Sequence, residues 1–167
     1  LKETDAKSAL KELREFAAHT LKWQQIPVRE KKILFVGEEI SFASRYRVEH
    51  FREQLHYQGY GSDFYQVDEV KDLDWDAYRA VVCYRCSRED VVCKVVEQAK
   101  KTGLNVYYDI DDLIFDYERI SYLHFLTGSE YKDFKKTTEQ IHSCMELCDG
   151  YFTSTDTLAG EIRREFP

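Results

Sequence analysis

Residues 105–116 read NVYYDIDDLIFD: a run of β-favouring residues closes on Asp109, and Asp109, Asp111, Asp112 and Asp116 place four carboxylates within eight positions. A short run that is apolar on successive residues, without alternation, reads as a strand buried on both faces, as in a parallel sheet. Ionised carboxylates are costly to bury, so a cluster of them marks the place where the strand leaves the core.

Four more short β-rich runs flank this one: KILFV at 32–36, SDFYQV at 62–67, AVVCY at 80–84 and GYFTS at 150–154. Helical spacing fills the intervals. Val48, Phe51 and Leu55 share one helix face, and Gly59 supplies a stop. Ser87 and Asp90 resemble a capping box ahead of a stripe of Val91, Val92, Val95, Val96 and Ala99 that ends at Gly103. Tyr131, Phe134, Thr138, Ile141, Met145 and Cys148 mark a longer helix, and Leu158, Ile162 and Phe166 a last one. Strands alternating with helices predict an α/β domain, a Rossmann-like three-layer sandwich with a mostly parallel sheet of five or six strands.

Ahead of that domain, Leu10, Leu13, Phe16, Ala17 and Leu21 recur at helical spacing, with Lys7, Lys11, Arg14 and Lys22 off the stripe. This predicts an amphipathic helix over 4–23, separated from the rest by Pro27. Residues 1–31 are therefore read as helix and linker, and 32–167 as the α/β domain. The helix admits two readings: packing on a protein surface, or contact with an anionic membrane. A chain that opens on Leu1 and closes on Pro167 is expected to be part of a longer protein.

Composition narrows the function classes. The 167 residues, 43% hydrophobic and 14% aromatic, suffice for one sizeable core. A formal charge of −7 argues against nucleic acid as the main partner, because binding phosphates takes clustered Lys and Arg. The charge is uneven: residues 1–32 hold eight Lys or Arg against five acids, leaving sixteen against twenty-six in the remainder. No apolar run approaches the roughly 20 residues of a membrane span, and no signal-peptide pattern opens the chain, so a cytoplasmic protein is expected. Five cysteines, an odd number, fit reduced thiols better than a disulfide framework. Cys83 and Cys86 form a CxxC, and Cys144 and Cys148 a CxxxC; because Cys83 prolongs the apolar run AVVCY, small buried hydrophobes are a better reading than zinc ligands.

In a parallel sheet the carboxyl ends of the strands share one rim, where ligands of open α/β sheets bind. Three polar stretches join the carboxylates on that rim: Gly37 to Glu39, Tyr84 to Ser87, and Ser154 to Asp156. A dinucleotide-binding turn is excluded, since GEEISFAS carries one glycine where GxGxxG needs three. A phosphoacceptor receiver requires Asp after the third strand and Lys after the fifth, where this chain has Tyr84-Arg85 and Ser154-Thr155. A phosphatase of the haloacid dehalogenase type opens on DxDx(T/V/L), matched by Asp109 to Leu113, but that motif belongs after a first strand.

Three stretches, SFASRYRVEHFREQL at 41–55, YYDIDDLIFD at 107–116 and CDGYFTSTDTLAGEIRREFP at 148–167, occur in an order and spacing that resemble the amino-terminal half of bacterial glycosyltransferases with two Rossmann domains (GT-B; group 1, family 4-like), enzymes of surface polysaccharide synthesis. The resemblance covers 32–167. It implies an acceptor-binding domain whose partners are a glycan or lipid-linked saccharide and a donor domain further along the chain, with peripheral contact to the inner membrane face. It implies a nucleotide-sugar co-substrate and no other cofactor, and no bound metal. The Gly-Gly loop of that family is here Gly37-Glu38-Glu39. A non-catalytic Rossmann-like binding module is the alternative.

Within that frame Asp109, Asp111 and Asp112 are the candidate catalytic residues: crowding and desolvation raise a carboxyl pKa, which suits a base or an acceptor for a sugar hydroxyl. The competing reading has one carboxylate capping a turn and the others facing water. Arg45 and Arg47, early in the helix after the first strand, are candidate anion ligands; in the competing reading Arg45, Glu49 and Arg52 are spaced for ordinary surface ion pairs. Gly37 and Glu38 complete the expected acceptor turn. Tyr117 and His124 lie in the aromatic stretch IFDYERISYLHFLTG at 114–128, which reads either as a lid over a sugar or lipid or as core; His124 is the second candidate base.

Overall fold

A computed structural model describes residues 31–38, 42–120 and 128–167. The predicted helix at 4–23, Glu39 and His124 lie outside them.

Five strands form one sheet: β1 (Lys32–Gly37), β2 (Ser62–Gln66), β3 (Tyr78–Tyr84), β4 (Asn105–Ile110) and β5 (Gly150–Thr153), in the order β2-β1-β3-β4-β5. Every pairing is parallel. The connections are α1 (42–57), two 3₁₀ turns (Val67–Glu69 and Trp75–Ala77), α2 (Glu89–Lys101), and a short α3 (Tyr117–Ile120) followed by α4 (Gly128–Glu146); α5 (Asp156–Glu165) follows β5. The Rossmann-like α/β architecture expected from the alternation is the one observed, with five strands, none antiparallel, among the described residues.

Strand register assigns each side chain to a face. Leu34, Val36, Val81, Cys83, Val106, Tyr108 and Ile110 point to one side, into a core completed by α2 (Val92, Val95, Val96, Ala99), α4 (Ile141, Cys144, Met145) and α5 (Leu158, Ile162). Burying each such aliphatic side chain is worth about 1.5–3 kcal/mol. The opposite face carries Phe35, Val82 and Tyr84, flanked by Ile33, Phe64 and Tyr107, against Val48 and Leu55 of α1.

Local chemistry sets the helix ends. α2 stops where Gly103 takes φ +76°, a conformation open to glycine. Thr155 caps α5, its hydroxyl accepting from the Leu158 backbone N–H at 3.2 Å. α1 widens into a π-helical turn over Arg45–Glu49, with the His50 N–H reaching back to the Arg45 carbonyl. The expected capping box before α2 is corrected. Arg88, not Ser87, precedes the helix, and no side chain within that segment caps it; the cap comes from Glu38 at the end of β1.

The cysteines Cys83, Cys86 and Cys144 are buried. Burial pushes the Cys144 thiol up to about 12, so it stays protonated. Among the described residues no group of three or more His, Cys, Asp or Glu is arranged to hold a metal, and no helix is long and apolar enough to cross a membrane.

Candidate functional site

With order β2-β1-β3-β4-β5, the chain leaves β1 towards one edge and later builds from β3 towards the other, so the β1/β3 boundary is the topological switch point. A hollow of about 220 Å³ opens there, lined by Glu38 beyond β1, Tyr84, Arg85 and Ser87 at the end of β3, Ile114 beyond β4, and the flank of α4 at Thr137 and Ile141.

β4 carries Asp109 to this rim between Tyr84 of β3 and Phe152 of β5. Its side chain points to the α1 face, where the π-helical turn presents Arg47. The pair is bidentate: Arg47 Nε donates to Asp109 Oδ1 at 2.8 Å and a terminal amine donates to Oδ2 at 2.9 Å. Asp109 is only 2% exposed. Burial pushes its carboxyl up to about 6, opposed by the bonds and charge of Arg47 and reinforced by the neighbouring Asp111 charge. The Arg47 guanidinium also lies 5.7 Å from the Phe51 ring centre.

Arg85, absent from the sequence-based candidates, organises the other two aspartates. It takes φ +47°, uncommon for a non-glycine residue, at the end of the central strand β3. Its backbone N–H donates to the Asp109 carbonyl at 3.2 Å. Its Nε donates to Asp111 Oδ1 at 2.6 Å, and a terminal amine to the Asp112 carboxylate. Ser154, beyond β5, donates from its hydroxyl to the Asp111 carbonyl at 3.2 Å. Placing Tyr84 to Ser87 on the rim was within reach of the sequence; the left-handed turn that aims Arg85 back at β4 was not.

Glu38 fills the space between β1 and α2. Its carboxylate accepts from the Ser87 and Arg88 backbone N–H groups, the latter at 2.6 Å, and from the Ser87 hydroxyl at 3.0 and 3.1 Å. A carboxylate from a distant strand end thus satisfies the orphan donors ahead of α2 and complements its dipole. Gly37 is buried for packing reasons, because a Cβ there would meet the Phe64 ring at 3.2 Å.

The remaining candidates stand apart. Arg45 is exposed on the π-helical turn, while Glu49 pairs with Arg52 at 2.9 Å. Tyr117 packs edge-on against Tyr131 and under the Lys135 ammonium, and lines a separate hollow of about 320 Å³ with His142 and Glu165. The structure therefore brings Asp109, Asp111, Asp112, Arg47, Arg85 and Glu38 to one rim, with Arg45 exposed on the turn that carries Arg47 and Tyr117 at the other hollow.

Chemically, three carboxylates face two guanidinium groups. Both Asp109 oxygens are engaged by Arg47. The side chains of Asp111 and Asp112 keep 22% and 60% of their surface in water and retain free acceptor positions. Because Arg47 and Arg85 are already neutralised by carboxylates, the rim is better suited to accepting hydrogen bonds from hydroxyls than to gripping a phosphate. No protein-family model matches the sequence, and no curated protein matches it.

Proposed function

We propose that these residues form the acceptor-side domain of a cytoplasmic glycosyltransferase, which presents a hydroxyl of a glycan or lipid-linked saccharide to a nucleotide-sugar held by a second domain. One observation carries the reading: Arg47–Asp109 and Arg85–Asp111/Asp112 meet at the carboxyl rim, beside the hollow at the β1/β3 switch point. In this reading Asp111 and Asp112 accept hydrogen bonds from sugar hydroxyls. Arg85 fixes both carboxylates, and Arg47 with Asp109 forms the rigid wall behind them. No metal or further cofactor is assigned.

The test uses a chain that joins these residues to the donor-binding region. Asp111→Asn with Asp112→Asn is expected to lower transfer and weaken acceptor binding while the fold is retained. The 167 residues alone are expected to bind acceptor saccharide, with amide shifts concentrated at Arg85, Asp111 and Asp112 in an NMR titration, and to transfer nothing. Transfer by the isolated residues at whole-enzyme rates, or shifts confined to another surface, overturns the proposal.

A non-catalytic binding module is the second reading, favoured by the pairing of all three aspartates with arginine. It predicts full transfer by the Asp111→Asn, Asp112→Asn chain. The phosphatase reading is weakened because Asp109, the first aspartate of its motif, is buried with both oxygens bonded.

A further inference from the structure

The connection from β2 to β3 passes over β1, because the sheet order is β2-β1-β3 and both pairings are parallel. Such a crossover usually carries an α-helix that fills the layer on the sheet. Here residues 67–77 make it with two 3₁₀ turns, Val67–Glu69 and Trp75–Ala77. Short turns cover less of their neighbour than a helix does, and a hollow of about 420 Å³ remains between the crossover and the flank of α2. It shares no lining residue with the hollow at the carboxyl rim.

Val67, Val70 and Trp75 line the crossover side of this hollow, and Val91 and Val95 the α2 side. Val67 and Val95 are buried, whereas Val70, Trp75 and Val91 are only partly buried where they pack on the core. A ligand body laid there removes apolar surface from water, at roughly 25 cal/mol per Å². The indole of Trp75 also offers a flat face to an aromatic ring. Lys71 on the crossover and Lys94 on α2 line the same hollow, and among the described residues neither makes an ion pair. The crossover holds five acids, Asp68, Glu69, Asp72, Asp74 and Asp76. Of these Asp68 alone lines the hollow, and it is paired with Arg88 at 2.6 Å; Glu69 accepts from the Gln66 backbone N–H at 3.0 Å.

We propose that this hollow binds a small aromatic acid, its ring set against Trp75 and the valines and its carboxylate met by Lys71 and Lys94. Volume, lining and charge agree. Small-molecule sites span about 300–1,000 Å³ and combine a mostly apolar lining with a few polar groups that fix orientation. A neutral body of the same shape gains the apolar contact but gives the two ammonium groups no counter-charge. Residues 33–167 hold sixteen Lys or Arg against twenty-six acids, a balance that repels anions at long range, so recognition rests on these two local cations. The site is independent of any sugar-transfer role.

The test titrates the full 167-residue chain with 2-naphthoate and, separately, with its neutral counterpart 2-naphthamide, followed by amide and indole N–H shifts in NMR spectra. Saturable shifts from naphthoate are expected at residues 67–75 and 91–98, with the Trp75 indole signal among them. Naphthamide is expected to bind there about tenfold more weakly, the worth of two exposed ion pairs. Lys71 and Lys94 are exposed, so Lys71→Met with Lys94→Met should keep the fold while removing the difference between acid and amide. Lys132→Met with Lys136→Met makes the same charge change at exposed positions of α4 and should preserve that difference. Shifts centred on another surface, a titration that does not saturate, equal affinity of acid and amide for the parent, or an equal loss in the α4 variant overturns the proposal.

Discussion

Arg47 and Asp109, sixty-two positions apart in sequence, hold each other through two parallel hydrogen bonds of 2.8 and 2.9 Å at the carboxyl end of the central sheet. The contact joins α1 to β4 across the rim, so the helix after the first strand is fixed relative to the strand that bears the aspartates. A buried charge of this kind is held in place by its partner: the attraction offsets a large desolvation cost, and removing one member exposes that cost in full.

Arg47→Ala is therefore expected to destabilise the fold by about 3–5 kcal/mol, leaving a buried carboxylate uncompensated. Arg47→Lys should fall between, since an ammonium is a point charge that does not match both carboxylate oxygens at once. Urea unfolding at pH 7 measures both. A loss below about 1 kcal/mol for the alanine variant, the range of exposed pairs, would mean that water reaches the site and the pair has no structural weight.

The pH dependence of stability carries the signature of Asp109. Its folded pKa, pushed up to about 6, exceeds the ordinary carboxylate value near 4. Between those values the folded chain keeps a proton that the unfolded chain has lost, so this group makes stability fall as pH rises through the window. The cumulative effect of about two pKa units is roughly 3 kcal/mol. Unfolding free energies from pH 4 to 7 should show this downward slope in the parent relative to Asp109→Asn, in which the group is absent. A parent curve that rises relative to the variant would place the folded pKa below the unfolded one.

Much of this architecture is legible along the chain because a parallel sheet buries strands on both faces, so runs such as AVVCY and NVYYD announce themselves without alternation. The helix stops at Gly59 and Gly103 are equally plain, both with positive φ. Arg85 is hidden for a physical reason: its role depends on a single left-handed residue, and nothing in the dipeptide Tyr84-Arg85 favours one. The cap on α2 is hidden because Ser87 and Asp90 offer a local solution, and the fold selects a carboxylate from 49 residues upstream. On α1 the spacing put Phe51 with Val48 and Leu55. The π-helical turn lies just before Phe51, whose ring is 40% exposed and rests against Phe152.

Glu38→Ala removes the carboxylate that accepts from Ser87 and Arg88 ahead of α2. The expected cost is about 1–2 kcal/mol, that of a lost cap with its orphan donors returned to water. The effect should be local. Amide exchange is expected to accelerate over the first turn of α2, from Glu89 to Val92, with residues 95–101 unchanged. Equal acceleration along the whole helix would show that Glu38 supports the β1–α2 packing and not the cap.

Arg85 separates backbone strain from side-chain bonding. At φ +47° an L-residue is held at a cost of about 1–2 kcal/mol that glycine does not incur. Arg85→Gly and Arg85→Ala lose the same bonds to Asp111 and Asp112, so the stability difference between the two variants isolates the backbone term. The glycine variant is expected to be more stable than the alanine variant by about 1 kcal/mol, read from urea midpoints at constant m. Both should release Asp111 and Asp112 from their fixed positions and weaken saccharide binding alike, because that depends on the guanidinium and not on φ. If alanine proves as stable as glycine, residue 85 has relaxed out of the left-handed region once its side chain is gone. The Asp111 and Asp112 bonds would then be what holds the turn at the end of β3, the reverse of a turn that holds the bonds.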